Sequence, residues 1–347
     1  MVANAQGGET TASLKRTPLE LSEELQDPLA HERWSAFTGE PSLLLDLSGG
    51  ATLPENLVAR VGEQVRDLPA VVVAMAAPPI DHPLAHIADV VADSDEEALT
   101  VVMRTREHPL ASLALVQLLR MGEHLSIHEA LQAESFVYSM LQAGPEFGDW
   151  LASRAKRPSA STEDLPLRVT REAGLLHIRF DRPSMRNAFS VGMRDALCEA
   201  LGVALWDSSI ERIVLSGEGP AFCSGGDLSE FGSLPDPASA HAIRSTRSPA
   251  RLMSMCGPKL EARVHGACVG AGAELPAFCA EVIAREDAFF QLPELGMGLV
   301  PGAGGTASLP SRIGRQRTAW LALSGNRIGA DQALAWGLVD RICSSIK

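Results

Sequence analysis

No stretch of this 347-residue chain reaches the roughly 18–20 consecutive apolar residues that a bilayer-spanning helix requires, so no membrane partner is expected. The opening segment also lacks the continuous apolar core of a secretory signal. No cysteine precedes Cys198, and none of the six forms a CxxC pair. That pattern argues against a disulfide framework or a zinc site and fits reduced thiols in a cytoplasmic protein. Basic residues are the minority, 30 against 43 acidic, for a net charge of −13. A protein that wraps nucleic acid, whose affinity rests on neutralising phosphates, is thereby disfavoured, although a local basic patch could still hold an anion. HExxH, GxGxxG and GxxxxGK[ST] are all missing, and no metal is expected. What remains is an ordinary globular balance, 46% hydrophobic and 21% charged, long enough for one large or two moderate domains.

The chain reads as two unequal halves. Residues 1–40 are mixed and polar, interrupted by Pro18 and Pro28, and predict a mobile or loosely docked arm. A βαβ pattern follows: a strand at Ser42–Leu47, a helix at Pro54–Arg66 with Leu57, Val61 and Val65 on one stripe, and a buried strand at Ala70–Ala77. Residues 87–92 and 98–103 are weaker strand candidates. From Leu110 to Ala155 the period is helical, with Ala130, Ala133, Val137 and Met140 forming one apolar stripe. A polar linker precedes a second βαβ run: a strand at Leu175–Phe180, a helix at Val191–Leu205 and a strand at Arg212–Leu215.

Four loops of the second half carry the candidate chemistry. In Arg182–Ser190, Ser190 can cap the helix that follows and Asn187 can brace the turn. In Gly217–Phe231, the Gly225-Gly226 pair lets backbone N–H groups approach a ligand. In His265–Cys279, the small residues Gly270 to Ala273 lead to a helix expected to begin near Glu274. The fourth loop, Ala288–Thr306, contains Glu294. Taken singly, Glu274 could merely complement a helix N-terminus, Glu294 could be solvated, and His265 could simply hydrogen-bond at a strand end.

Together, DRPSMRNAFS, PAFCSGGDLSEF, VHGACVGAGAELPAFC, FFQLPELGMGLVPGAGGT and ALSGNRIGADQALAWGLVDRI resemble the crotonase, or enoyl-CoA hydratase/isomerase, superfamily from about Leu167 to Ile342. The resemblance implies an α/β protein with a crotonase-like (ββα)n spiral core. It also implies that the Gly226 and Ala271 N–H groups stabilise a thioester enolate, a role worth several kcal/mol to a developing oxyanion. The second of these positions is usually glycine, so Ala271 is a departure. By the same resemblance Gly226, Asp227, Leu228, Ser229 and Ala271 line the thioester and pantetheine path. Arg186, Asn187 and Ala188 match the loop near the adenine end.

Hydratases of that family use two carboxylates, and both matching positions, Glu274 and Glu294, are glutamate here. One activates water and the other protonates the α-carbon. The implied reaction is hydration of a 2-enoyl-CoA, with CoA as part of the substrate and no separate cofactor. Isomerisation, thioester or C–C hydrolysis, and non-catalytic binding of a CoA ester as an assembly subunit are the alternatives. The acyl pocket is expected to depend on how Phe231, Met253, Met255, Phe289 and Met297 pack, Met253 and Met255 being core or pocket lining.

The family's helical cap normally follows the GLVD segment, but only seven residues follow Asp340 here. Residues 111–158 resemble that cap. The expected organisation is an arm (1–40), a degenerate, non-catalytic crotonase-like unit (41–105), a helical cap or oligomerisation segment N-terminal to the core (106–158), a linker (159–166) and a catalytic core (167–347). The cap could serve its own chain or a neighbour, and a homotrimer or homohexamer is implied.

Overall fold

The computed structural model describes residues 15–49, 53–76, 82–154, 165–233 and 236–345. It divides into two compact units, residues 1–117 and 118–347. The boundary falls inside the expected 106–158 segment, within helix α5 (Pro109–Gly122).

In the first unit, β1 (Lys15–Arg16), β2 (Ser42–Asp46), β3 (Val71–Met75) and β4 (Val90–Ala92) form a parallel sheet in chain order. Leu43, Leu45, Val72 and Ala74 pack with Leu21 and Leu25 and with Val61 and Val65 of α3 (Glu55–Asp67). α4 (Asp95–Glu107) lies against β2, β3 and β4. Central parallel strands buried in this way read as continuous apolar runs, as SLLLD and VVVAM do.

Two expectations are corrected here. The described part of the arm is docked: α1 (Pro18–Glu24) is fixed by a Thr17–Glu20 capping box, and Leu21, Leu25, Ala30 and Trp34 are buried. Residues 1–14 of the arm lie outside the described residues. Residues 98–103 are helical, not a strand. Ser94 caps α4, acidic residues occupy its first turn and Arg104 and Arg106 its last, so end effects outweigh a short β-like run.

After the last turn of α5, the second unit continues with α6 (Ile127–Gln142), opened by a Ser126–Glu129 capping box, and α7 (Pro145–Ser153). The linker lies largely outside the described residues. A six-stranded sheet follows in the order β13-β10-β8-β7-β6-β5. Its strands are β5 (Leu167–Glu172), β6 (Leu175–Phe180), β7 (Arg212–Gly217), β8 (Leu260–Val264), β10 (Glu281–Arg285) and β13 (Arg341–Cys343). Only the β5–β6 hairpin is antiparallel. A smaller sheet holds β9 (Ala267–Val269), β11 (Phe289–Gln291) and β12 (Ile328–Gly329). The chain passes from large sheet to small sheet to helix twice: β8, β9, α11 (Ala271–Glu274), then β10, β11, α12 (Gly305–Ile313). This is the (ββα) winding of a crotonase-like fold. α8 (Val191–Trp206), capped by Ser190, α9 (Pro237–Thr246) and α10 (Pro249–Cys256) complete the layer that frames the site.

α6 departs from the expected apolar stripe. Ala130 is buried, but so are Glu134, Ser135 and Ser139, while Phe136 and Met140 are exposed. A polar face turns inward because it meets polar partners, described next.

Candidate active site

Strand β9 ends at Val269, and Gly270, whose φ of 51° is open to glycine at little cost, turns the chain directly into α11. The helix therefore begins at Ala271, three residues earlier than expected, and Glu274 is its last residue. As the first helical residue, Ala271 has an N–H with no partner inside the helix. Its φ is not positive, so alanine is compatible with the position.

Facing it is the segment after β7. The Phe189 N–H donates to the Gly225 carbonyl, and the Asp227 N–H donates to the Phe189 carbonyl. Between them, the Gly226 N–H meets no acceptor among the described residues. Gly226, Ala271, Glu274 and Glu294 line one cavity of about 230 Å³.

Both glutamates are almost fully buried. Glu274 Oε2 accepts N–H bonds from Ala303 at 2.7 Å and Gly305 at 2.8 Å. Burial, then the charges of Glu294 and Glu134, push the Glu274 carboxyl well above its ordinary range, and those two N–H donors oppose the rise. Burial lifts Glu294 to about 8, and its Oε2 has no hydrogen-bond partner.

The other sequence candidates separate. Asp227 lines the cavity and is braced by Arg182 at 3.2 Å and by the Ser229 hydroxyl at 2.7 Å. Burial alone would raise its carboxyl, but Ser229 and Arg182 outweigh that and hold it below the usual range. Leu228 and Ser229 do not line the cavity. The Leu228 carbonyl accepts from Arg154 at 2.7 Å. Asn187 is fully buried and spends its side chain inside the protein: Nδ2 donates to the Glu218 and Ala221 carbonyls, and Oδ1 accepts from the Arg182 N–H. It braces the turn, as its residue type suggested. Arg186 is exposed at φ 52°, and Ala188 is buried, its carbonyl taken by Arg182. His265 accepts from Phe222 through its carbonyl and pairs through its ring with the Gly219 carbonyl at 2.9 Å.

Of the five residues named for the acyl pocket, only Phe231 lines the cavity. Met253 is buried in the core, Met255 is half exposed, and Phe289 lies in the small sheet under Arg327. The cap helices supply much of the wall instead. Leu131, Glu134, Tyr138 and Gln142 of α6 face the cavity, and Trp150 of α7 meets the Phe231 ring edge-on at 5.8 Å. Their placement was not legible from a motif. The sequence signal was the likeness of residues 111–158 to the family's helical cap, which did not say which side chains would face the cavity. No group of three or more His, Cys, Asp or Glu side chains that could hold a metal occurs among the described residues, and no helix among them is long and apolar enough to cross a membrane.

Residues 170–347 match the family described as enoyl-CoA hydratase/isomerase. Over 179 residues the chain is 37% identical to a 2,3-dehydroadipyl-CoA hydratase of Escherichia coli K12, covering 51% of this chain and 69% of that protein. The chain belongs to the enoyl-CoA hydratase/isomerase family. Another relative is a 1,2-epoxyphenylacetyl-CoA isomerase of the same organism, 35% identical over 173 residues, which cover 48% of this chain and 66% of that protein. A solved enoyl-CoA hydratase from Mycobacterium smegmatis aligns with a TM-score of 0.48 at 32% identity, over 52% of this chain and 71% of that one. The matched stretches thus leave about a third of each relative uncovered. In this member of the family, helices lying before the matched region close the cavity from within the same compact unit.

Proposed function

We propose that the protein hydrates a 2-enoyl-CoA to a 3-hydroxyacyl-CoA. The observation that carries this reading is the convergence of Glu274, Glu294 and the Gly226 and Ala271 N–H groups on one cavity. With the thioester oxygen between the two N–H groups, charge developing on the enolate meets fixed dipoles. Water adds its oxygen to C3 and a proton reaches C2, so the site needs a base and an acid.

Glu294, without a donor at Oε2 and raised to about 8, holds a proton at neutral pH and serves as the acid toward C2. Burial raises Glu274 as well, so its role as base rests on geometry: the Ala303 and Gly305 N–H groups hold its Oε2 and stabilise the carboxylate. Glu274 is then the base that takes a proton from water. Asp227 and Gly226 flank the thioester, and exposed Arg186 suits the nucleotide end. CoA enters with the substrate, and the proposal uses no other cofactor. A homotrimer or homohexamer in the cytoplasm completes the reading, with exposed Phe136 and Met140 as its candidate contact surface.

Loss of the conjugated enoyl-thioester absorbance, with a product heavier by one water, tests the reaction. Double-bond isomerisation leaves the mass unchanged. Tight binding of acyl-CoA without turnover of any enoyl-CoA overturns both.

A further inference from the structure

The loop that opens α12 is shared between two carboxylates. Its four consecutive N–H groups alternate: Ala303 and Gly305 donate to Glu274, whereas Gly304 and Thr306 donate to Glu134 at 2.7 and 2.9 Å. The Thr306 hydroxyl adds a third bond to Glu134 at 2.7 Å. Glu134 belongs to α6, is 4% exposed, and lines the same cavity. Both of its oxygens are engaged by the loop, so it is poorly placed to exchange protons with a bound water.

We infer that Glu134 is a positioning residue that locks the Ala303–Thr306 loop in the register in which Glu274 is held, and that its charge tunes the two catalytic glutamates. This rests on the hydratase reading above. The Gly304 and Thr306 N–H bonds to Glu134 anchor the loop on both sides of Gly305, which restricts the flexible Gly304-Gly305 stretch whose neighbouring N–H groups hold Glu274. The charged and titratable groups around Glu134 are Glu274, Glu294, Tyr138 on its own helix, and Arg244 and His241 on α9. Arg244 donates to Ser135, Ser139 and Gln142, holding α9 to α6. Burial raises Glu134 to about 7, its three donors and Arg244 restraining the rise, so it is half ionised near neutrality and charged above it. There it adds to the charge that Glu274 and Glu294 feel.

The test is E134Q, in which an amide donor faces N–H donors and the charge is gone. On an enoyl-CoA that the wild type hydrates, kcat is expected to fall at least tenfold with KM within about threefold, and the pH profile to move about one unit toward acid. E134D, which keeps the charge, is expected to retain the wild-type pH profile at reduced kcat. The same shift is read without substrate by 13C NMR titration of labelled glutamate carboxyls, assigned with E274Q and E294Q. Hence an enzyme that hydrates nothing sinks the proposed reaction but still tests Glu134. If E134Q lowers thermal stability yet leaves the pH profile and both carboxyl titrations unmoved, the inference is wrong. Should E134Q not fold, T306V removes one donor from Glu134. The Glu134 resonance must then titrate at higher pH and kcat drop several-fold; no change in either overturns the inference.

Discussion

Glu294 Oε1 lies in the space into which a Cβ on Gly270 would project. That contact brings the 3₁₀ turn carrying Glu294 against the residue that launches α11, and so sets one acid within electrostatic reach of Glu274. The chemistry of the cavity follows from this one close approach.

If the two glutamates divide base and acid work, each should be indispensable. E274Q and E294Q are expected to lower kcat by roughly 10²–10⁴-fold, the usual range for losing general acid–base catalysis. Circular dichroism and thermal midpoints near wild type would show that the loss is chemical. Turnover as fast as wild type in either variant refutes its role.

Proline at position 271 offers a clean deletion of one oxyanion donor. Ala271 is the first residue of a helix, where proline is sterically tolerated, and its N–H has no helical partner to lose. A271P is expected to fold and to lose about 10²–10³-fold in kcat. Unchanged kcat in a folded A271P would remove that N–H from the mechanism.

Asn187 is expected to matter for stability rather than for CoA affinity. N187A strands the buried Glu218 and Ala221 carbonyls and the Arg182 N–H, an unfolding cost of about 2–4 kcal/mol. Urea denaturation should register this, with KM for the acyl-CoA little changed. A large rise in KM at wild-type stability would instead make it a ligand contact.

Stability should also depend on pH through Glu294. Its folded-state pKa of about 8 lies above the ordinary value of 4.5, so the native state retains a proton that the unfolded chain releases. The stabilisation is complete below about pH 4.5 and drains away as pH rises toward 8. The thermal midpoint of the wild type is therefore expected to fall between pH 5 and pH 8, and E294Q to flatten that slope. Equal slopes in the two proteins would contradict the burial of an unpaired acid.

Much of the site could be read from local order. SGGD, GAGAE and PELGMG are contiguous, so the candidate donors and acids were named by position, and Ser190 and Asn187 acted as their residue types imply. The acyl-facing wall could not be read in this way. Met253, Met255, Phe289 and Met297 have suitable chemistry, but which of them reaches a cavity depends on strand and helix packing, and only Phe231 does. Residues 98–103 read as a strand because Thr100, Val101 and Val102 favour strands locally, whereas the caps of α4 act at its ends.

By itself the amino-acid order determined the likeness to the family, the two βαβ runs, the two glutamates and the glycines that free backbone N–H groups, since each is carried by a short contiguous motif. Tertiary structure alone decided that α6 lines the cavity within its own unit and that Glu134 shares a loop with Glu274. The physical reason is separation along the chain. Glu134 and Thr306 are 172 residues apart, and no local preference records a hydrogen bond between groups that meet only when the fold closes.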